Sequence, residues 1–342
     1  HYRIVAIEQL GGPKEFNETV HLGDNVELVW IQSKKKVGKK LSIPSLFYYM
    51  YKVRQQVKLY RPDVIHSHLW SAILSCDRSI PSVVTVHSYK QLGRKSVSIA
   101  NDFLYVKFLP LLYKFYGNRI VCVGEGLKQL VARDISQPVL SIPNPINADY
   151  FISQPRVERE SCVVFVTCAL LKPKKQIEKT IVLIKQLVTA GVDCRLNIIG
   201  PEVDSTYVEY LKALVEKEEV KERVAFLGRL NRSQIIKCYE ESDIGMFFSK
   251  EETFGLVPLE MMAAGLPILA TKVGVLAEKK DYFSSVGASF VGVENNIEML
   301  TKAQELLANR KKVDVASLRE SYMVSSIVKK YENIYLELLL GV

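Results

Sequence analysis

The first apolar runs of the chain are short and β-rich. Residues 2–7 (YRIVAI) and 26–31 (VELVWI) have the length and the branched, aromatic content of strands, and Gly11-Gly12-Pro13 breaks the chain between them. From 43 to 59 the period changes. Leu46, Tyr49, Met50, Val53 and Val57 recur every three or four positions, with Lys52, Arg54 and Lys58 interleaved, which predicts an amphipathic helix. Arg61-Pro62-Asp63 turns the chain into Val64-Ile65-His66-Ser67-His68, and residues 83–86 run into His87-Ser88-Tyr89; both read as strands that end on polar residues. A helical region around 97–116, a strand at 119–123, a helix from about Gly124-Glu125-Gly126 and a strand at 139–142 complete the first half. Pro143-Asn144-Pro145-Ile146-Asn147 then forms a stiff, extended connector, because two prolines in three residues forbid a helix.

The pattern restarts beyond the connector. Strands are predicted at 162–167, 196–199, 224–227 and 244–248, separated by helices near 176–189, 208–218 and 233–242. Alternation of this length predicts a second parallel α/β domain. A last amphipathic helix, 324–340, carries Ile327, Tyr331, Ile334, Tyr335 and Leu338 on one face. The expected division is therefore 1–147, 148–323 and a C-terminal helix 324–342.

The densest chemistry lies in FFSKEETFGLVPLEMMAAGLPILAT, residues 247–271. It reads as strand, loop, short helix, tight turn and strand, with Pro258 in the first helical turn and Gly265 at the left-handed end position. Such a unit places its loop at the C-terminal edge of a parallel sheet, where these sheets bind ligands. The amides of Gly255, Leu256 and Val257 are expected to open outward from the helix start, a natural place for a diphosphate. Glu252 in the loop and Glu260 in the first helical turn bracket those amides and are suited to accept hydrogen bonds from sugar hydroxyls. Two glutamates alone are more often a solvated acid and a favourable helix start; the whole block is more specific.

That block, with its E-x7-E spacing, resembles the donor-site signature of glycosyltransferase family 4. The resemblance implies the GT-B fold: α/β, two Rossmann-like domains facing each other across a cleft. It implies retaining, metal-independent transfer of a hexose from a UDP- or GDP-linked donor, with no cofactor, to a glycan or lipid-linked acceptor. Thr85-Val86-His87-Ser88 is similar to the family's acceptor-domain T-x-H motif, so His87 is expected at the transferred sugar, and the P-N-P-I run matches the interdomain junction. The catalytic set implied is His87 and Glu252. The donor-binding set is Lys175, Lys172, Phe254, Gly255, Leu256, Val257 and Glu260, with Gly228 and Arg229 at the turn after the 224–227 strand. His66 and His68 fit a looser D-x-I-H-x-H pattern, and a metal pair there is rejected for want of a third ligand.

Two departures stand out. Where the family carries an arginine five or six residues before its diphosphate lysine, this chain has Cys168 or Ala169, and a lysine such as Lys172 cannot reproduce bidentate arginine contacts. The chain also opens on what reads as the family's second strand, so the first strand and its glycine-rich loop are expected to be missing. The final helix is expected to cross back onto the first domain.

Composition adds modest constraints. A length of 342 residues favours two domains, and 48% hydrophobic with 24% charged residues is ordinary for a globular protein. Six cysteines at 76, 122, 162, 168, 194 and 238 form no CxxC pair, which suggests reduced thiols in the cytoplasm. The net charge of +9 fits nucleotide diphosphates or an anionic membrane surface; no motif points to nucleic acid. SKKKVGKK, residues 33–40, reads either as a solvated basic loop or as a contact for anionic lipid, and the 43–59 helix either as core or as a membrane-resting surface. By analogy with the family it resembles, the expected role is cell-surface polysaccharide or lipopolysaccharide synthesis, in the cytoplasm and, if the basic, aromatic surface is used, at the inner face of the membrane. Two alternatives are a non-catalytic glycosyltransferase-like partner subunit and a sugar-nucleotide epimerase of the same fold.

Overall fold

The computed structural model describes residues 4–10, 19–24, 26–32, 36–37, 40–41, 43–68, 77–89, 118–152, 162–309 and 312–341. The helix expected at 97–116, the break at 11–13 and Cys76 lie outside them. The chain divides into two compact units. The first comprises residues 1–122, 127–141 and 331–342, and the second comprises 123–126 and 142–330.

In the second unit six strands form one parallel sheet: β10 (Val163–Cys168), β11 (Cys194–Ile199), β12 (Val224–Gly228), β13 (Ile244–Phe247), β14 (Ile268–Ala270) and β15 (Ala288–Phe290). Their spatial order is β12-β11-β10-β13-β14-β15, so connections run outward in both directions from the β10–β13 boundary. That boundary is a topological switch point, where the loops leaving two adjacent strands part and leave a crevice. The central strands are apolar along their whole length because helices cover both faces. Phe165, Leu196, Ile198, Leu211, Ile184 and Met246 are core members with almost no exposed surface.

Helix starts in this unit are written into the sequence. Asp204 accepts from the Tyr207 amide at 3.1 Å. Asn231 and Gln234 form a reciprocal capping box, with amide contacts of 3.0 and 2.9 Å. The C-terminal edge of the sheet is laced backbone to backbone. The Gly200 amide donates to the Gly228 carbonyl at 2.8 Å and the Ala169 amide to Ile199 at 2.9 Å. Gly200 has φ of +147°, and a Cβ there would lie 1.7 Å from the Ala169 carbonyl oxygen, so only glycine fits.

The first unit is built differently. β1 (Ile4–Leu10) pairs parallel with β3 (Val26–Gln32), and β2 (Thr19–Gly23) pairs antiparallel with β3. A separate parallel sheet has the order β6 (Ile65–Ser67), β7 (Ser82–Val86), β8 (Arg119–Cys122), β9 (Val139–Ser141). The helix Ile43–Tyr60 buries Tyr49, Val53 and Val57 against Ile65 and Ile80. Its other side exposes Phe47, Tyr51, Arg54, Lys58 and Leu59. Two expectations are corrected. The basic stretch 33–40 is not a plain loop, since Lys36–Val37 and Lys40–Leu41 pair antiparallel as β4 and β5. β2 was not anticipated, although Gly23-Asp24-Asn25 is a turn signal that separates it from β3 by only two positions. The C-terminal helix spans Val324–Leu340 as expected, and from Tyr331 onward it belongs to the first unit.

Candidate active site

The site in the second unit is assembled at the switch point, from the ends of β10 and β13. After β13 the chain passes through Ser249, which is buried, and reaches Glu252. The Ser249 hydroxyl donates to Glu252 Oε1 at 2.8 Å, and the Ser249 carbonyl is held by the Thr271 hydroxyl at 2.7 Å. After β10 the chain makes a 3-10 turn, Pro173–Lys175, and then passes through Gln176 in the left-handed region (φ +50°) before the helix Ile177–Thr189 begins. A buried non-glycine residue in that conformation fixes the direction in which the turn delivers its side chains. It brings Lys175 Nζ onto Glu252 Oε1 as an ion pair, both side chains about one-sixth exposed. The ammonium also lies 5.9 Å from the centre of the Phe247 ring, and the Lys250 amide donates to the Lys174 carbonyl at 2.9 Å, tying the two loops together.

The helix Leu256–Ala263 begins beside this pair. Its N-cap is Gly255, in the left-handed region (φ +93°), and no side chain caps the helix. The leading amides are therefore left for a ligand, with the positive end of the helix dipole behind them. Leu259, Met261 and Met262 anchor the helix in the core. Burying a leucine of this kind stabilises by roughly 2–5 kcal/mol against alanine. Phe254, grouped above with the donor-binding residues, is buried: its ring meets Tyr322 edge-on at 6.5 Å and its carbonyl accepts the Val275 amide at 2.8 Å. Gly274 makes that closeness attainable, because a Cβ there would lie 2.3 Å from the Phe254 oxygen and 3.1 Å from Glu252 Cβ.

Glu260 stands two positions deeper in its helix than anticipated. The helix starts at Leu256 rather than at Pro258, which puts Glu260 past the first turn. Burial raises its carboxyl to about 7, opposed by the Arg232 guanidinium. Its electrostatic neighbours are Tyr150, Cys168 and Tyr239. Cys168 is pushed up to about 11 by burial and sits within the fields of both Glu260 and Lys175, so the thiol links the two halves of the site. The motif itself gave no sign of Arg232, Tyr150, Tyr239 or Ser249; Ser249, three residues before an acid in a loop, was the only one with a sequence cue. Lys172 is exposed at the start of the Pro173–Lys175 turn. Gly228 (φ +65°) and the exposed Arg229 end β12, at the same edge of the sheet.

A second cluster occupies the strand ends of the first unit. His68 Nδ1 and His87 Nε2 are 2.9 Å apart. His66 bonds through both nitrogens, to Tyr335 Oη at 2.6 Å and Thr85 Oγ1 at 2.7 Å, and Thr85 reaches Tyr331 Oη at 3.1 Å. The His66 and His68 rings stack at 4.5 Å, and those of His68 and His87 at 5.2 Å. Burial, followed by repulsion from the other two rings, lowers His66 to about 3. His68 and His87 are also lowered, chiefly by burial of their packed sides.

Comparison with known proteins settles the family. Residues 6–150 match Glycosyltransferase Family 4, and residues 151–318 match Glycosyl transferases group 1. The chain belongs to the family 4 glycosyltransferases. Among curated relatives, N-acetyl-alpha-D-glucosaminyl L-malate synthase of Bacillus anthracis is 29% identical over 185 residues, 53% of this chain and 47% of that protein. A D-inositol 3-phosphate glycosyltransferase of Mycobacterium sp. is 38% identical over 240 residues, 63% of this chain and 52% of that protein. The chain thus spans about half the length of the curated relatives it matches. Sucrose-phosphate synthase of Thermosynechococcus elongatus superposes with a TM-score of 0.76 at 15% identity, covering 99% of this chain and 90% of that one. Anabaena HepE, solved with UDP and glucose, gives 0.72 at 15% identity over 98% and 99%. These two likenesses establish the GT-B fold of this family 4 glycosyltransferase.

Proposed function

We propose that this protein transfers a hexose, with retention, from a nucleotide diphosphate sugar to a hydroxyl of a glycan or lipid-linked acceptor in cell-surface polysaccharide synthesis. One observation carries the reading. At the switch point an uncapped helix start, a lysine and a carboxylate converge on one crevice, with a second carboxylate behind them.

The chemistry follows from the charges. When the bond from C1 to the diphosphate oxygen breaks, negative charge grows on the leaving group, and preorganised donors favour that state over the bound donor. The Gly255, Leu256 and Val257 amides and Lys175 supply them. Glu252, held by Ser249, accepts from hydroxyls of the sugar, and Glu260 from the ribose diol. His87 contacts the transferred sugar. The acceptor oxygen attacks C1 on the face from which the diphosphate departs, and its proton passes to a phosphate oxygen. The protein then supplies no base, and the leaving charge rests on protein groups rather than on a metal ion, so a chelator leaves the rate unchanged.

Anabaena HepE, solved in complex with UDP and glucose, supports a UDP-linked hexose as the donor to try first. An acceptor held at an anionic membrane surface is supported by Phe47, Tyr51 and Leu59, which are 64%, 58% and 70% exposed beside Arg54 and Lys58. No helix among the described residues is long and apolar enough to cross a membrane.

Cys168 supports a second reading, a non-catalytic partner subunit. A thiol held protonated up to about 11 cannot stand in for an arginine on a diphosphate. One experiment separates the two. Nucleotide sugars are screened by melting shift, and the binder is followed for donor hydrolysis in wild type and Glu260→Ala. Hydrolysis that disappears in the variant upholds the transferase; binding without turnover in wild type establishes the partner subunit.

A further inference from the structure

We propose that His68 is a positioning residue: its bond to His87 holds that ring in one orientation and leaves His87 Nδ1 as the nitrogen offered to a sugar hydroxyl. The proposal rests on the reading of His87 as a sugar-contacting residue.

His68 Nδ1 and His87 Nε2 are engaged with each other at 2.9 Å. Among the described residues, His68 Nε2 and His87 Nδ1 have no protein partner, and both residues are exposed. A neutral imidazole carries one N–H. If His68 donates across the pair, its proton is on Nδ1, and His87 keeps its own on Nδ1, facing outward. If His87 donates, its Nδ1 is bare and the outward proton is on His68 Nε2. Either way the pair shows one donor and one acceptor to solvent, the complement that two neighbouring hydroxyls require. Two charged rings would set N–H against N–H, so the contact excludes that state.

The pair is also backed by a fixed wall. His68 stacks on His66 at 4.5 Å, with the planes 28° apart. His66 cannot turn without losing Tyr335 or Thr85, since each of its nitrogens is already bonded. Tyr331, one turn before Tyr335 on the same helix, holds Thr85 from the other side. Orientation thus passes from the C-terminal helix to His66, from His66 by stacking to His68, and from His68 by hydrogen bond to His87. A lone histidine at the end of β7 would have only its own rotamer preferences to aim it.

The test uses the full chain. Asparagine places its amide near the position of a histidine Nδ1, whereas phenylalanine keeps a stacking ring and removes the nitrogen. In His68→Phe, kcat for hexose transfer is expected to fall about 10- to 100-fold, the scale of a misoriented contact, with donor KM unchanged. His68→Asn is expected to recover most of that loss. In ¹⁵N-histidine spectra, His87 Nε2 is expected to show the shift of a hydrogen-bonded nitrogen in wild type and His68→Asn and to lose it in His68→Phe. Equal His87 nitrogen shifts in wild type and His68→Phe overturn the proposal, whatever the rates. Altered shifts with unaltered kcat uphold the positioning bond and overturn the reading of His87 as a sugar contact. Melting midpoints close to wild type, checked for each variant, ensure that the spectra report folded protein.

Discussion

The two strand-end clusters solve one problem, polar side chains at the rim of a parallel sheet, by opposite means. In the second unit Lys175 and Glu252 form an ion pair, and burial pushes Glu260 toward its neutral form. In the first unit three histidines are packed so that charge is disfavoured on all of them. A site built from charges is ready for an anionic leaving group but costs stability when its carboxylate ionises in apolar surroundings. A site built from neutral rings has no such cost near neutral pH and shows hydroxyl-sized donors and acceptors.

The comparison is broken most directly by removing charge. Lys175→Met is expected to lower donor hydrolysis about 10²- to 10³-fold, as loss of one preorganised donor does elsewhere, while His87→Phe, which removes no charge, is expected to lower it less. Initial rates at saturating donor test the ranking. Glu252→Gln breaks the ion pair without changing shape, and is expected to destabilise the protein by about 1–3 kcal/mol, the worth of a hydrogen bond to a charged group. Urea denaturation measures it.

Titration sharpens the contrast, because the two clusters respond to pH with opposite signs. Glu260 has a folded value near 7, above its ordinary 4.5. Its contribution to stability is present below 4.5 and is lost as pH rises through 7. His66 has a folded value near 3, below its ordinary 6.5. Its contribution is present above 6.5 and is lost as pH falls toward 3. Glu260→Gln is expected to flatten the decline in melting temperature between pH 4.5 and about 7, and His66→Phe the decline below about 6. The smallest effect is expected from Tyr335→Phe, which removes one bond to His66 and costs about 0.5–1.5 kcal/mol by the same denaturation.

Much of this was legible beforehand, for definite reasons. Apolar runs ending in Gly or polar residues marked β10, β11 and β13, because strands buried on both faces admit little else. The 247–271 block marked the candidate site because few sequences join a loop acid, a glycine N-cap and a proline within the first turn. The expected position of Glu260 is two residues too shallow because proline is favoured at the first helical position, whereas here Gly255 ends the loop and Pro258 sits third. The partners of the site were not legible. Arg232 and Tyr239 lie on one helix, Arg232–Glu240, and Tyr150 ends the 3-10 turn Ala148–Tyr150, and nothing local to 247–271 shows that the fold brings these two segments toward Glu260. The histidine stack was half visible: each ring ends a strand, but nothing local says that β6 and β7 are neighbours or that Tyr331 and Tyr335 close the group.

The lacing at Gly200 has an evolutionary corollary. With β10, β11 and β12 clasped main chain to main chain at their exits, that edge of the sheet depends on one hydrogen-sized residue rather than on the side chains above it. Mutation is then free to rewrite those side chains, swapping one activated sugar for another, without the frame beneath them having to be reinvented.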